Sequence, residues 1–230
     1  MLRLNVGILF RNNKELINPF FFFLRKSTEM SLRIIALDNG SEDGTSEELR
    51  KFLKDDDILL KSDRNVGIAR GRNLILEKIK ETEGGYSNLL LLDSDIFIIR
   101  QDSINRLYDV FIKKEKCGFA LGTLLAFNLP NLIEFEKDGI CFCLIRREVF
   151  EKCGIFDPQF DMFYDDTDFM RRAVEAGFLF ERRMEGALAV HIWGSTTLWG
   201  SEGKEIRKKA LVHDKECYEK KWNCKLPEVK

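Results

Sequence analysis

Four groups of residues are spaced so that they could do chemistry. In Leu89-Leu90-Leu91-Leu92-Asp93-Ser94-Asp95-Ile96-Phe97, two carboxylates stand two residues apart between apolar runs. Unpaired acids in such surroundings are costly. A hard divalent cation, Mn2+ or Mg2+, removes that cost, because it takes oxygen ligands and can bridge a diphosphate. A polar turn with both acids in solvent fits the same spacing. Phe163-Tyr164-Asp165-Asp166-Thr167-Asp168-Phe169 places three acids at the start of a helical pattern. Acids there complement the helix dipole and cap its free N–H groups, and Asp168 has Arg171 and Arg172 within one turn. The chemical alternative is a general base in an aromatic-walled cleft.

His191 ends an apolar run and is followed by Ile192-Trp193-Gly194-Ser195-Thr196-Thr197. It could ligate a metal or face a phosphate, with the loop hydroxyls and amides beside it; a satisfied core histidine above a capped turn is the other reading. The second histidine, His213, sits in a charged helical pattern and reads as surface. Arg64-Asn65-Val66-Gly67-Ile68-Ala69-Arg70-Gly71-Arg72-Asn73 opens a helix whose N–H groups and guanidinia could meet an anion, or which is Asn-capped with a solvated basic face. No GxxxxGK[ST] occurs, and no GxGxxG follows the first strand, so neither a Walker A loop nor a dinucleotide fingerprint is present.

The elements that must position these groups alternate. Strands are predicted at Leu2–Phe10, Leu32–Leu37, Asp56–Leu60 and Asn88–Leu92, and helices at Lys14–Thr28, from Thr45 to about Lys54, and at Ile68–Lys80. Thr45 and Glu48 have capping-box spacing. Such an alternation predicts an α/β fold with a mostly parallel central sheet, helices on both faces, and ligands at the carboxyl ends of the strands. The second half is less regular. Asp102 is expected to cap a helix to Lys114. Strands follow at Cys117–Phe127, Gly139–Ile145, Phe178–Met184 and Ala187–His191, with helices at Arg147–Lys152, Asp165–Ala176 and Glu202–Trp222. With no repeat or linker, residues 1–230 read as a single domain, with a nucleotide-sized half at 1–100 and a mixed half at 101–230.

The 230 residues carry 37 Lys+Arg and 38 Asp+Glu, which removes the electrostatic case for a nucleic-acid partner. The 44% hydrophobic content excludes a disordered chain. Of the six cysteines none forms a CxxC pair, and Cys141 and Cys143 alternate within an apolar run as buried strand thiols would. This favours a reduced, cytoplasmic protein. No secretory signal or membrane-spanning stretch is visible. Phe20-Phe21-Phe22-Phe23 points all round its helix, which means burial on most sides or a face turned to a membrane or to a second copy as a homodimer.

Taken together, the segments resemble family 2 glycosyltransferases, inverting enzymes of the GT-A fold that use nucleotide-sugars. Val6–Asn13 resembles the opening strand and its Asn-bearing loop. Ile34–Thr45 is close to the DNxSxDGT segment, and Asn65-Val66-Gly67 with Arg72-Asn73 is similar to the NxGxxxARN helix start. Asp93-Ser94-Asp95 stands where the DxD motif belongs, Asp165-Asp166 where a Glu-Asp pair belongs, and His191 with Gly194 and Ser195 resembles the late His-containing loop. Tyr218 and Lys221-Trp222 are similar to the C-terminal signature.

The resemblance implies roles. Asp38 would hydrogen-bond the base of a UDP-, GDP- or dTDP-sugar, framed by Phe10 and Asn12, with Asn65, Gly67, Arg72 and Ser94 also lining the donor site. Asp95, with Asp93, would hold the divalent cation or the nucleotide ribose, and His191 would complete the metal site or touch the diphosphate. Asp166, or Asp165, with Asp168 as a fallback, would deprotonate the acceptor hydroxyl of a glycan, a lipid-linked or a small acceptor, with Gly139 and Trp193 near it. Asn128–Asp138 would be an acceptor loop. Two departures stand out: the pair is Asp-Asp rather than Glu-Asp, and the late loop reads His-Ile-Trp-Gly. A sugar-phosphate nucleotidyltransferase would want a Gly/Arg/Lys-rich signature where Phe10-Arg11-Asn12-Asn13-Lys14 stands. A non-catalytic nucleotide-sugar-binding module would bind without turnover.

Overall fold

A computed structural model describes residues 3–128, 131–134, 139–192 and 201–226. In chain order the elements are β1 (Arg3–Phe10), α1 (Lys14–Lys26), β2 (Ser31–Asn39), α2 (Thr45–Arg50), β3 (Ile58–Ser62), α3 (Ile68–Glu83), β4 (Leu89–Asp93), β5 (Ile96–Ile98), α4 (Ser103–Lys113), β6 (Cys117–Asn128), β7 (Asn131–Glu134), β8 (Phe142–Ile145), α5 (Arg147–Cys153), α6 (Asp165–Glu175), β9 (Leu179–His191) and α7 (Ser201–Trp222).

One sheet runs through the chain in the order β3-β2-β1-β4-β8-β6-β9-β5, with β7 paired to β6. The first four strands are parallel, as the alternating pattern requires. Beyond β4 the sheet is mixed rather than mostly parallel: β8 is antiparallel to both β4 and β6, β9 is parallel to β6, and β5 is antiparallel to β9. The central strands are buried on both faces, which is why they read as unbroken apolar runs. Along β1, Leu4, Val6, Ile8 and Phe10 enter one core under α1, α2 and α4. Along β4, Leu90 and Leu92 join that core, while Leu89 and Leu91 enter a second core beneath α3, α5 and α6. The period of two along each strand thus feeds two layers of helices.

Three local expectations are corrected. The two short strands predicted at 178–184 and 187–191 are one strand, β9, whose pairing to β6 shifts register between Ala120 and Thr123. Thr45 is not a capping-box N-cap: Gly44 holds that position at φ 88°, and the Thr45 hydroxyl donates to Asp43 instead. Asp102 precedes α4 without a side-chain cap bond, and its carboxylate pairs with Arg106 at 2.9 Å. The phenylalanine run is mostly core. Phe20 and Phe21 are buried, Phe23 packs against Phe97, and only Phe22, at 52% exposure, faces outward with Lys26 over its ring. All six cysteines are free thiols. Among the described residues no helix is long and apolar enough to cross a membrane.

Candidate active site

The carboxyl ends of β1, β2 and β4 open into one cavity of about 940 Å³, closed on the far side by the segment before α6 and by α7. Each sequence-singled group reaches it by a different route. Asp93 ends β4, and Ser94 and Asp95 form the turn to β5. β5 pairs with β9 so that Ile96 stands opposite His191, which brings the imidazole Nε2 to 3.3 Å from Asp95 Oδ1. Ligand atoms of Asp93, Asp95 and His191 lie within 4.8 Å of one another, a set of carboxylate oxygens and one imidazole that suits a divalent cation. Ser94 Oγ donates to Asn13 Oδ1 at 3.3 Å, tying the turn to the end of β1.

Arg72 is the cation of the cavity floor. It projects inward from α3, is only 7% exposed, and stacks over Phe156. Its Nη1 lies 2.8 Å from Asp165 Oδ2 and its Nη2 3.4 Å from Asp93 Oδ1, so one guanidinium links the DxD turn to the start of α6. Burial opposes its charge, but Asp165, Asp93 and Asp166 outweigh that and raise its pKa. Asp165 is buried, and desolvation raises its pKa against the pull of Arg72. Desolvation also raises Asp93, whose carboxylate is hydrogen-bonded to Cys141. Asp166 differs from its neighbour. It is half-buried, lines the cavity, and its Oδ1 accepts the Thr167 N–H at 2.7 Å. A Cβ at Gly139 would come within 3.3 Å of Asp166 Oδ2, so the glycine leaves room in front of that carboxylate. Asp168 faces away, held by Arg172, Lys221 and Trp222.

Other singled residues have supporting positions. Asp38 is fully buried; its Oδ1 accepts the Ser41 N–H at 2.9 Å and its Oδ2 the Ser46 hydroxyl, so it braces the 38–44 loop from beneath. Its neighbour Asn39 lines the cavity and binds the facing loop, with Nδ2 to Asn65 Oδ1 at 2.9 Å and Oδ1 to the Val66 N–H at 2.9 Å. Phe10 is core, stacked edge-on to Phe20. Asn12, at φ 49°, bridges to Ser41 and Glu42 outside the cavity. Asn65 and Gly67 line the cavity, and α3 is not Asn-capped: Gly67 precedes it with φ 88°. A Cβ there would come 2.9 Å from the Asp161 carbonyl, which accepts the Ile68 N–H at 2.7 Å. Trp193, Gly194 and Ser195 lie outside the described residues. Sequence reasoning missed Asn13, Asn39, Cys141, Asp161 and the face of α7 carrying Arg207, Lys209 and His213, all lining the cavity. Cys141, expected with Cys143 to be a buried strand thiol, is instead half-buried just before β8 and lines the cavity, while Cys143 is buried in the second core.

The family model for glycosyl transferase family 2 matches residues 6–131. Among solved structures, the mannosyltransferase PcManGT from Pyrobaculum calidifontis, in complex with GDP-Man and Mn2+, is similar with a TM-score of 0.68 at 16% identity over 94% of this chain. TarS residues 1–349 from S. aureus gives 0.62 at 16% identity over 92% of it. The chain spans 64% and 65% of the lengths of those two chains. No curated protein sequence matches. The sheet order, the cavity at the strand ends and a family match over more than half of the residues converge: the chain has the GT-A fold and belongs to glycosyl transferase family 2.

Proposed function

We propose that this protein transfers a sugar from a nucleotide-diphosphate sugar to an acceptor hydroxyl, with inversion at the anomeric carbon. The observation that carries the reading is the convergence of Asp93, Asp95 and His191 with the Asp165-Asp166 pair on one cavity. The GDP-Man and Mn2+ held by the similar mannosyltransferase support a nucleotide-sugar donor and a divalent cation for this chain as well.

Asp93, Asp95 and His191 would hold Mn2+ or Mg2+. Bound there, the ion supplies Lewis-acid stabilisation of the leaving diphosphate. Asp166 is the general base: both acids line the cavity, but Asp165 is ion-paired with Arg72, whereas Asp166 makes no ion pair among the described residues, and it takes the proton from the acceptor hydroxyl as that oxygen attacks. Asp165 is committed to Arg72 and orients the start of α6. One in-line displacement inverts the centre and needs a single base, unlike a glycosidase with its paired carboxyl groups. Gly139 leaves the acceptor its approach to Asp166.

The test is turnover of UDP-, GDP- and dTDP-sugars by the purified chain, with and without Mn2+. Asp166→Asn is expected to bind donor with affinity near wild type and to lose about 10²-fold or more in kcat. Asp95→Ala is expected to lose metal-dependent donor binding. Binding without turnover in the wild type would identify a non-catalytic module, and the absence of both would refute the reading.

A further inference from the structure

Resting on that reading of the site, we infer that Asp214, on α7, is a positioning residue: its carboxylate binds three consecutive backbone amides, Asp161 to Phe163, and so sets the segment that delivers Asp165 and Asp166 to the cavity. Asp214 is fully buried. Its oxygens accept the N–H of Asp161 at 3.0 and 3.2 Å, of Met162 at 2.8 Å and of Phe163 at 2.8 Å. His213 Nδ1 lies 2.8 Å from its Oδ1. Successive amides turned toward one anion form a nest, and here the anion is supplied by the chain itself.

Such a cradle constrains the backbone of all three donors at once. The next residue, Tyr164, is left-handed at φ 61°, and Asp165 and Asp166 open α6 directly after it. The same segment is held from the opposite side, where the Asp161 carbonyl accepts the Ile68 N–H at 2.7 Å and the Asp161 carboxylate meets Arg70 at 2.8 Å. Further along α7, Tyr218 packs on Tyr164 with ring centroids 5.4 Å apart, and Trp222 Nε1 donates to Asp168 at 3.0 Å. These apolar and side-chain contacts dock the helix. They do not turn three amides toward one point, whereas Asp214 Oδ2 accepts from all three and Oδ1 adds a second contact to the Asp161 N–H. The family match ends at residue 131, so α7 lies outside it.

The experiment uses the full chain with Asp214→Gly, which empties the cradle, and Asp214→Leu, which keeps nearly the same shape but offers the three amides no acceptor. kcat and KM are measured with the nucleotide-sugar that turns over, nucleotide Kd is measured with Mn2+, and formate is titrated into each reaction. Hydrogen exchange of the Asp161–Phe163 amides is followed in parallel. The expected result is a kcat lowered about tenfold to a hundredfold, as for small misplacements of reacting groups, with nucleotide Kd within about twofold of wild type. Formate is expected to restore turnover in Asp214→Gly and leave wild type unchanged, and the three amides are expected to exchange faster in both variants. If only Asp214→Leu folds, its kcat and Kd decide. Wild-type kcat in either folded variant, parallel loss of Kd and kcat without formate rescue, unchanged amide exchange, or failure of both variants to fold would overturn the inference. A wild type without turnover counts against the glycosyltransferase reading instead, and amide exchange then decides the role of Asp214 alone.

Discussion

Arg72 carries the electrostatics of the site. It is a buried cation between Asp165 and Asp93, and each of those acids is desolvated enough that its pKa is raised. Removing one partner of a buried pair leaves an uncompensated charge, which typically costs about 3–5 kcal/mol. Arg72→Met is therefore expected to lower unfolding free energy by roughly that amount at pH 7.5, measured by urea denaturation. The pH dependence follows from the direction of the shift. Asp165 has a folded pKa above its unfolded value, so its ionisation opposes folding as pH rises through that interval, and loss of Arg72 raises the folded value further. At pH values below the ordinary carboxylate range the acid is neutral in both states. The penalty of Arg72→Met is thus expected to shrink as pH falls, and a penalty that is constant from neutral to acid pH would show that Arg72 acts by packing on Phe156 instead.

At the scale of elements, the first hundred residues were legible because each signal there is local. An apolar run followed by a polar turn and a 3.6-period segment fixes strand, loop and helix with little help from elsewhere. The acidic groups were legible for the same reason, since Asp93 and Asp95 follow β4 and Asp165 and Asp166 begin α6. What was not legible depends on distant partners. β9 is one strand because β6 pairs with it on both sides of an irregularity at residues 185–187, where Gly186 takes φ 87° and the register shifts without ending the strand. Asp214 lies 51 to 53 residues from the amides it binds, and nothing near it in the sequence marks it as other than helix surface. Inward and outward faces of α1 were also undecidable from four identical residues. The structure separates them. Phe20→Ala and Phe21→Ala are each expected to cost about 3–5 kcal/mol by emptying core, whereas Phe22→Ala should stay within about 0.5 kcal/mol. Equal losses at Phe21 and Phe22 in urea titrations would mean that the exposed ring is covered in solution.

At the scale of the molecule, the first and second halves of the chain share one sheet. β4, from the first half, has β1 on one side and β8 on the other, and β5 leaves the first half to pair with β9. The seam between halves is therefore hydrogen-bonded backbone with buried Leu89–Leu92 across it, and residues 1–100 alone would expose the edge of β4. The candidate metal ligands straddle that seam, with Asp93 and Asp95 on one side and His191 on the other. Any cation they share then bridges both halves of the folded chain and finds no such site in the unfolded one. A ligand that binds only the folded state stabilises it by RT ln(1 + [L]/Kd), about 2.7 kcal/mol at a hundredfold excess over Kd. Mn2+ with the correct nucleoside diphosphate is thus expected to raise Tm by several degrees in a single transition, roughly 2–4 °C per kcal/mol for a domain of this size. EDTA should return Tm to that of the free chain, and His191→Ala should abolish the shift as completely as Asp95→Ala does. Were His191→Ala to keep the full shift, the ion would belong to the first half alone, and His191 would be a core histidine paired to Asp95.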